Sequence, residues 1–262
     1  MSGRASLASL LVLASLAGAG TARAQDAGAD LGAPTLEVLE APEVEPSSAP
    51  AAPFRYPRVT GRPLTLPEGM ARIDQVIFYR FFDIPVPWRG VPTGLSVGLL
   101  DDLELGVMWG VLDDPSVRVL GRVVADPVID LGLSAQLTVP AMTTGDTLAR
   151  VGMPVAVRPT EWLRIDSGLF VVLLFTAQVS PLAQVPLTIT VAPHELFFFG
   201  AMGSAGWLDG SRWIGDGGGF VGWSARNAHG VIADGRIAVQ YFVPSDDVVV
   251  SLGLRFFPRF WR

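Results

Sequence analysis

Few residues in this chain could carry chemistry. His194 is followed by Glu195, the opening of a zinc-protease helix in which a second imidazole four positions on would complete the metal-binding face. That position is Phe198, so no such face exists. The only other histidine is His229. With a serine and an acid or carboxamide, either imidazole could serve a lipase-like site, but only near the outer membrane surface. Gly215-Asp216-Gly217-Gly218-Gly219 is glycine-rich yet lacks the Lys-Ser/Thr of a phosphate-binding loop. No cysteine occurs, which excludes thiolate metal sites, disulfides, a cysteine nucleophile and lipid attachment through sulfur. The histidines read as turn residues, and the expectation is a chain without catalysis, cofactor or metal.

A second set of charges is more suggestive. Arg118, Arg122, Arg150, Arg164, Arg236 and Arg255, with Glu104, Asp130 and Asp166, all fall on the same face of alternating segments. An arginine turned toward lipid near the bilayer midplane costs about 2–4 kcal/mol, so in a membrane barrel these side chains are driven inward. Two uses compete. As a pore lining, six arginines against three carboxylates would favour anions. As a structural set, the charges would pair across the lumen and fill it.

What carries these charges is a period of two. In Val128 to Val139, Ile129, Leu131, Leu133, Ala135, Leu137 and Val139 share one face, and Asp130, Gly132, Ser134, Gln136 and Thr138 share the other. The same pattern runs through Leu103 to Val111, Ala149 to Val157 and Val248 to Phe256. Such runs match the roughly 9–11 residues a tilted strand needs to cross a bilayer. The rule predicts twelve strands, near 71–82, 93–100, 103–112, 116–125, 128–139, 147–158, 162–175, 184–192, 195–206, 218–225, 233–243 and 247–257. Asp101-Asp102, Asp126-Pro127, Pro159-Thr160-Glu161 and Pro193-His194 read as tight turns. They alternate with longer links at 82–92, 175–182 and 207–217, as in outer-membrane barrels. The link from Arg226 to Ile232 has the right parity but is too long.

Aromatic residues supply interface anchors. Trp88, Trp207 and Trp213 are expected in the longer loops, and Trp162, Tyr241, Phe256 and Phe257 near strand ends, where amphipathic rings suit the headgroup level. A soluble β-sandwich would alternate too, but its outer faces would need solvation. Here the second face is mostly Gly, Ala, Ser and Thr, which suits the inside of a narrow closed barrel.

Composition agrees. Half the residues are apolar and 17% are charged, with a mean hydropathy of +0.42. Every basic side chain other than histidine is arginine. The most apolar segment after the N-terminus, Gly168 to Ala192, is broken by Gln178, Pro181, Gln184 and Pro186, so it is no spanning helix of about 20 residues. Arg4, the apolar run Ala5–Gly20 and Ala22-Arg23-Ala24 predict a cleaved secretory signal over residues 1–24. Residues 25–55, rich in Pro, Ala and acidic side chains, are expected to be a disordered periplasmic tail, either a spacer or a binding segment. Residues 56–70 form a lead-in, and residues 71–262 the barrel.

Two stretches carry a resemblance. Arg62-Pro63-Leu64-Thr65-Leu66-Pro67-Glu68-Gly69-Met70 looks like a segment preceding the first strand of many proteobacterial outer-membrane proteins. Gly94 to Val107, GLSVGLLDDLELGV, resembles their second hairpin. Together these resemble uncharacterised outer-membrane barrels grouped with porins of the meta-pathway phenol-degradation type. The resemblance implies an outer-membrane barrel that contacts lipid and the barrel-assembly machinery and passes small solutes. It names no substrate. Such barrels usually end on an aromatic residue, whereas here Phe256-Phe257 is followed by Pro258-Arg259-Phe260-Trp261-Arg262. Either Phe257 or Trp261 fills that role. The expected function is a narrow porin-like channel. The alternative is a non-transporting structural or interaction barrel.

Overall fold

The computed structural model describes residues 56–81, 88–90, 92–109, 115–140, 147–175, 179–208, 212–227 and 230–260. The expected signal segment and acidic tail lie outside these residues, as do His229 and Trp261.

Period-two segments become a single antiparallel sheet: β1 (Ala71–Phe81), β2 (Trp88–Gly90), β3 (Thr93–Leu100), β4 (Leu103–Trp109), β5 (Ser116–Ala125), β6 (Ile129–Thr138), β7 (Thr147–Thr160), β8 (Leu163–Phe175), β9 (Val179–His194), β10 (Phe197–Leu208), β11 (Arg212–Asn227), β12 (Gly230–Val243) and β13 (Asp247–Phe256). Apart from β2 and β3, neighbours in sequence pair in space, and β13 pairs with β1 from Ile73↔Phe256 to Phe81↔Val248, closing the sheet. Closure removes the edges that would otherwise expose unpaired backbone groups. β2 and β3 act as one barrel strand. Both pair with β1 in a single register, Phe78↔Gly90 and Ala71↔Val97. The break falls at Pro92, which has no N–H to donate; its carbonyl still accepts from the Val76 N–H at 3.1 Å. The barrel therefore has twelve strands. Among the described residues no helix is long and apolar enough to cross a membrane.

The alternation sorts the side chains as hydrophobic patterning requires. On β6, Leu133 is 56% exposed on the outer wall while Asp130 is buried inside. Isoleucine, leucine, valine and phenylalanine side chains remain exposed around the barrel's outside, an apolar band that only lipid or detergent would cover.

Several strands are longer than their patterns suggest. β9 begins at Val179 rather than 184, and β11 at Arg212 rather than 218. The prolines of β9 and the glycines of β11 read as breakers, yet the ladder runs through them, with Pro186 opposite Ser204 and Gly217 opposite Gly203. Trp207 and Trp213 consequently lie on strands, not in a loop. They face each other across the β10–β11 hairpin and stack at 4.9 Å between ring centroids. Trp88 likewise begins β2, although its side chain lies outside the described residues. At the awkward 226–232 link, a bulge between Ala225 and Arg226 lets the β11–β12 ladder run on to Asn227↔Gly230. Trp162, Tyr241 and Phe256 are exposed at strand ends. Phe257 is not an interface residue: just past β13 it turns inward and is buried against Tyr56, centroids 4.8 Å apart.

Candidate functional site

The lead-in is the largest departure from expectation, because residues 56–70 run inside the barrel rather than up to it. At the short-turn end they bridge opposite walls. Tyr56 forms a parallel bridge with Gly230, and its carbonyl accepts from the Val231 N–H at 3.2 Å. A short 3-10 turn, Val59–Gly61, then carries the chain toward β7 and β8, where the Thr60 hydroxyl donates to the Glu161 carbonyl at 2.6 Å. The Leu64 N–H donates to Asp130 at 3.0 Å, and the Leu66 N–H to Glu104 at 3.1 Å. The Thr65 hydroxyl donates to the Asp101 carbonyl at 2.7 Å. Leu66, Thr60 and Thr65 are among the most completely buried side chains of the protein.

Gly98 makes this docking possible. A Cβ there would stand 2.2 Å from the Pro67 carbonyl oxygen and 2.5 Å from that of Leu66. Without one, the lead-in lies directly on β3, with the Gly69 N–H donating to the Gly98 carbonyl at 3.1 Å and the Gly98 N–H to the Met70 carbonyl at 2.9 Å.

Inward charges clamp the segment. Arg62 is held by both carboxylate oxygens of Asp234; its Nη2 lies 3.0 Å from Oδ1. Its guanidinium sits 5.0 Å from the Tyr56 ring and 4.6 Å from that of Phe257. The Ser224 hydroxyl donates to the same aspartate at 2.7 Å. The Arg62 carbonyl accepts from Arg158 at 3.0 Å and also from Arg164. Burial pushes the Tyr56 hydroxyl above its ordinary pKa.

The nine charged residues singled out from sequence thus divide between plug and wall. Glu104, buried, accepts from Arg72 at 3.2 Å and from Arg118. Asp130 pairs with Arg158. Arg164 and Asp166 are neighbours on one strand, with Nε at 2.8 Å from Oδ2. Arg255 pairs with Asp74 at 2.9 Å. Arg122 reaches only the rim, where its Nε donates to the turn residue Asp102 at 2.7 Å. Arg150 and Arg236 have no carboxylate partner among the described residues. Arg150 lies 4.0 Å from the Phe170 ring centre with its Nε buried and unsatisfied, and Arg236 lies 5.4 Å from that of Phe220.

Sequence reasoning missed Arg62, Arg72, Asp74, Arg158 and Asp234. The last four lie on inward-facing positions of segments already predicted as strands, so applying the alternation to every charged residue of those segments would have found them. Arg62 had no such signal, because it lies outside any periodic segment. Adding these three arginines and two aspartates raises the arginine excess of the set from three to four, but all five of its carboxylates are engaged in ion pairs.

Of the histidines, His194 ends β9 at the short-turn end, where its Nδ1 accepts from the Leu196 N–H at 3.2 Å. Among the described residues no three acidic or imidazole groups gather to hold a metal.

No family model matches the chain, and no curated protein matches it significantly. Solved structures do. The chain is similar to the NanC porin at 11% identity and a TM-score of 0.53, covering 70% of this chain and 98% of that one. It is similar to the KdgM porin in complex with disordered oligogalacturonate at 10% identity and a TM-score of 0.53, covering 71% and 98%. At this identity the likeness is one of fold, a closed antiparallel β-barrel shared with these two structures.

Proposed function

We propose that the protein is an outer-membrane, porin-like channel for small solutes, narrow and closed at its short-turn end by residues 56–70. The observation that carries this reading is the sorting of side chains. A closed twelve-stranded sheet turns its hydrophobic face outward and encloses a charged, hydrogen-bonded lumen. The short-turn end faces the periplasm in bacterial barrels of this type, so the lead-in would enter from that side, following the expected signal and acidic tail. The barrel would contact outer-membrane lipid and, during insertion, the assembly machinery. The resemblance to porins of the meta-pathway phenol-degradation type supports this class and names no solute. No role in catalysis is proposed.

The plug favours one second reading, a non-transporting barrel whose lumen is filled for stability. Conductance of the purified mature protein in planar bilayers separates the two. Stepwise currents with ion selectivity support the channel. Insertion without current, both for the intact protein and for a variant released from its plug, supports the second reading. Phospholipid hydrolysis by the pure protein would overturn both.

A further inference from the structure

Above the plug, the lumen retains a cavity of about 300 Å³, at the lower end of the range for small-molecule sites. Tyr56, Val59 and Arg62 to Leu64 close it toward the short-turn end. Its charges are nearly all committed: Asp234 to Arg62, Asp166 to Arg164, and Asp74 to both Arg72 and Arg255. Arg236 is the exception. It lines the cavity beside Arg255, and among the described residues no carboxylate pairs with it. It stands over Phe220, which packs edge-on against Phe198 at 6.3 Å between centroids, and both rings line the same space. The Thr188 and Thr190 side chains complete one wall.

We infer that this cavity is a binding site for a compact organic monoanion, a carboxylate joined to a small apolar body. The inference rests on the channel reading, and names the class of solute such a lumen would hold. One uncommitted guanidinium offers a fork matched to one carboxylate. The low-dielectric surroundings strengthen that contact, and the adjoining phenyl rings give the apolar body a face to pack on. A fully hydrated inorganic anion would gain only the first of these, and a neutral molecule only the last.

Benzoate is the probe, titrated into the full mature protein in detergent micelles by calorimetry, with benzamide as its neutral isostere and phosphate as the inorganic control. Saturable one-to-one binding of benzoate, at least tenfold tighter than either control, is the expected result. Arg236→Gln should weaken benzoate binding at least tenfold and leave benzamide unchanged, whereas Arg236→Lys should retain part of the affinity. Circular dichroism of each variant confirms that the barrel has folded; should Arg236→Gln not fold, Phe220→Leu is expected to weaken benzoate several-fold. Absence of benzoate binding to the folded protein, or equal affinity for benzamide or phosphate, overturns the inference. A barrel that conducts without binding benzoate removes this site and leaves the channel standing. One that binds benzoate but never conducts does the reverse.

Discussion

Replacing Arg62 with alanine tests the plug directly. The side chain is buried to 7% exposure against 4% for its partner Asp234, so the substitution leaves a carboxylate inside the barrel with only the Ser224 hydroxyl to satisfy it. Breaking a buried pair from one side typically costs about 3–5 kcal/mol. A loss of about 3 kcal/mol corresponds to roughly a hundredfold change in an equilibrium. That cost falls on docking of the first half of the lead-in. The second half keeps its own anchors, because the Leu64 and Leu66 N–H groups still donate to Asp130 and Glu104. Release of residues 56–62 is therefore the expected outcome, with the barrel wall intact. Arg58 reports on it. When opening is fast relative to cleavage, proteolysis follows the open population, so trypsin should cut after Arg58 about a hundred times faster in the variant, and open-channel time should rise. Asp234→Asn in the same background removes the stranded charge and should recover part of the loss. Equal cleavage rates and equal conductance in the original protein and Arg62→Ala would refute the reasoning.

Three further outcomes are expected. Leu133→Arg turns a charge toward lipid near the middle of β6 and should cost about 2–4 kcal/mol in denaturant unfolding from vesicles, whereas Ser134→Arg, one residue along and facing the lumen, should cost far less; similar losses would contradict the assigned faces. Arg118→Glu places a second carboxylate against the buried Glu104 and should move the reversal potential in a KCl gradient toward cation selectivity, with a smaller shift for Arg122→Glu at the rim; unchanged potentials for both would remove them from the conducting path. Gly98→Ala forces a methyl group against the Pro67 carbonyl and should loosen the second half of the plug, read as faster amide exchange at Leu66 and Gly69; unaltered protection would mean that the close approach is not needed.

Hydrophobic alternation is a local property, and local reading of it went far. The outward faces of β4, β6, β7 and β13, the turns at Asp101-Asp102 and Asp126-Pro127, and the inward parity of Glu104, Asp130 and Arg164 all follow from a step of two along the chain. The twelve-strand count followed as well, since most of the predicted segments were long enough to cross a bilayer and their number was even. Reading failed where composition and context conflict. Glycine and proline signal turns in water, but in β9 and β11 the closed ladder supplies partners on both sides, and small residues admit rings such as Phe198 over Gly222, where a Cβ would meet Cζ at 2.3 Å. Trp207 and Trp213 moved from loop to strand for that reason alone.

Which charge meets which was beyond any reading of order along the chain. Arg62 and Asp234 are 172 positions apart, Leu64 and Asp130 are 66 apart, and only the closing of β13 on β1 brings such walls within reach of one segment. Residues 62–70 and 94–107, the two stretches that carried the family resemblance, dock on each other through Gly98 and Glu104. From sequence alone they were two separate motifs. Periodicity set which way each side chain points, because that depends on the next residue. Tertiary structure decided that the lumen is plugged and that Arg236 is left to face a cavity, because ion pairing depends on distances that only the finished barrel defines.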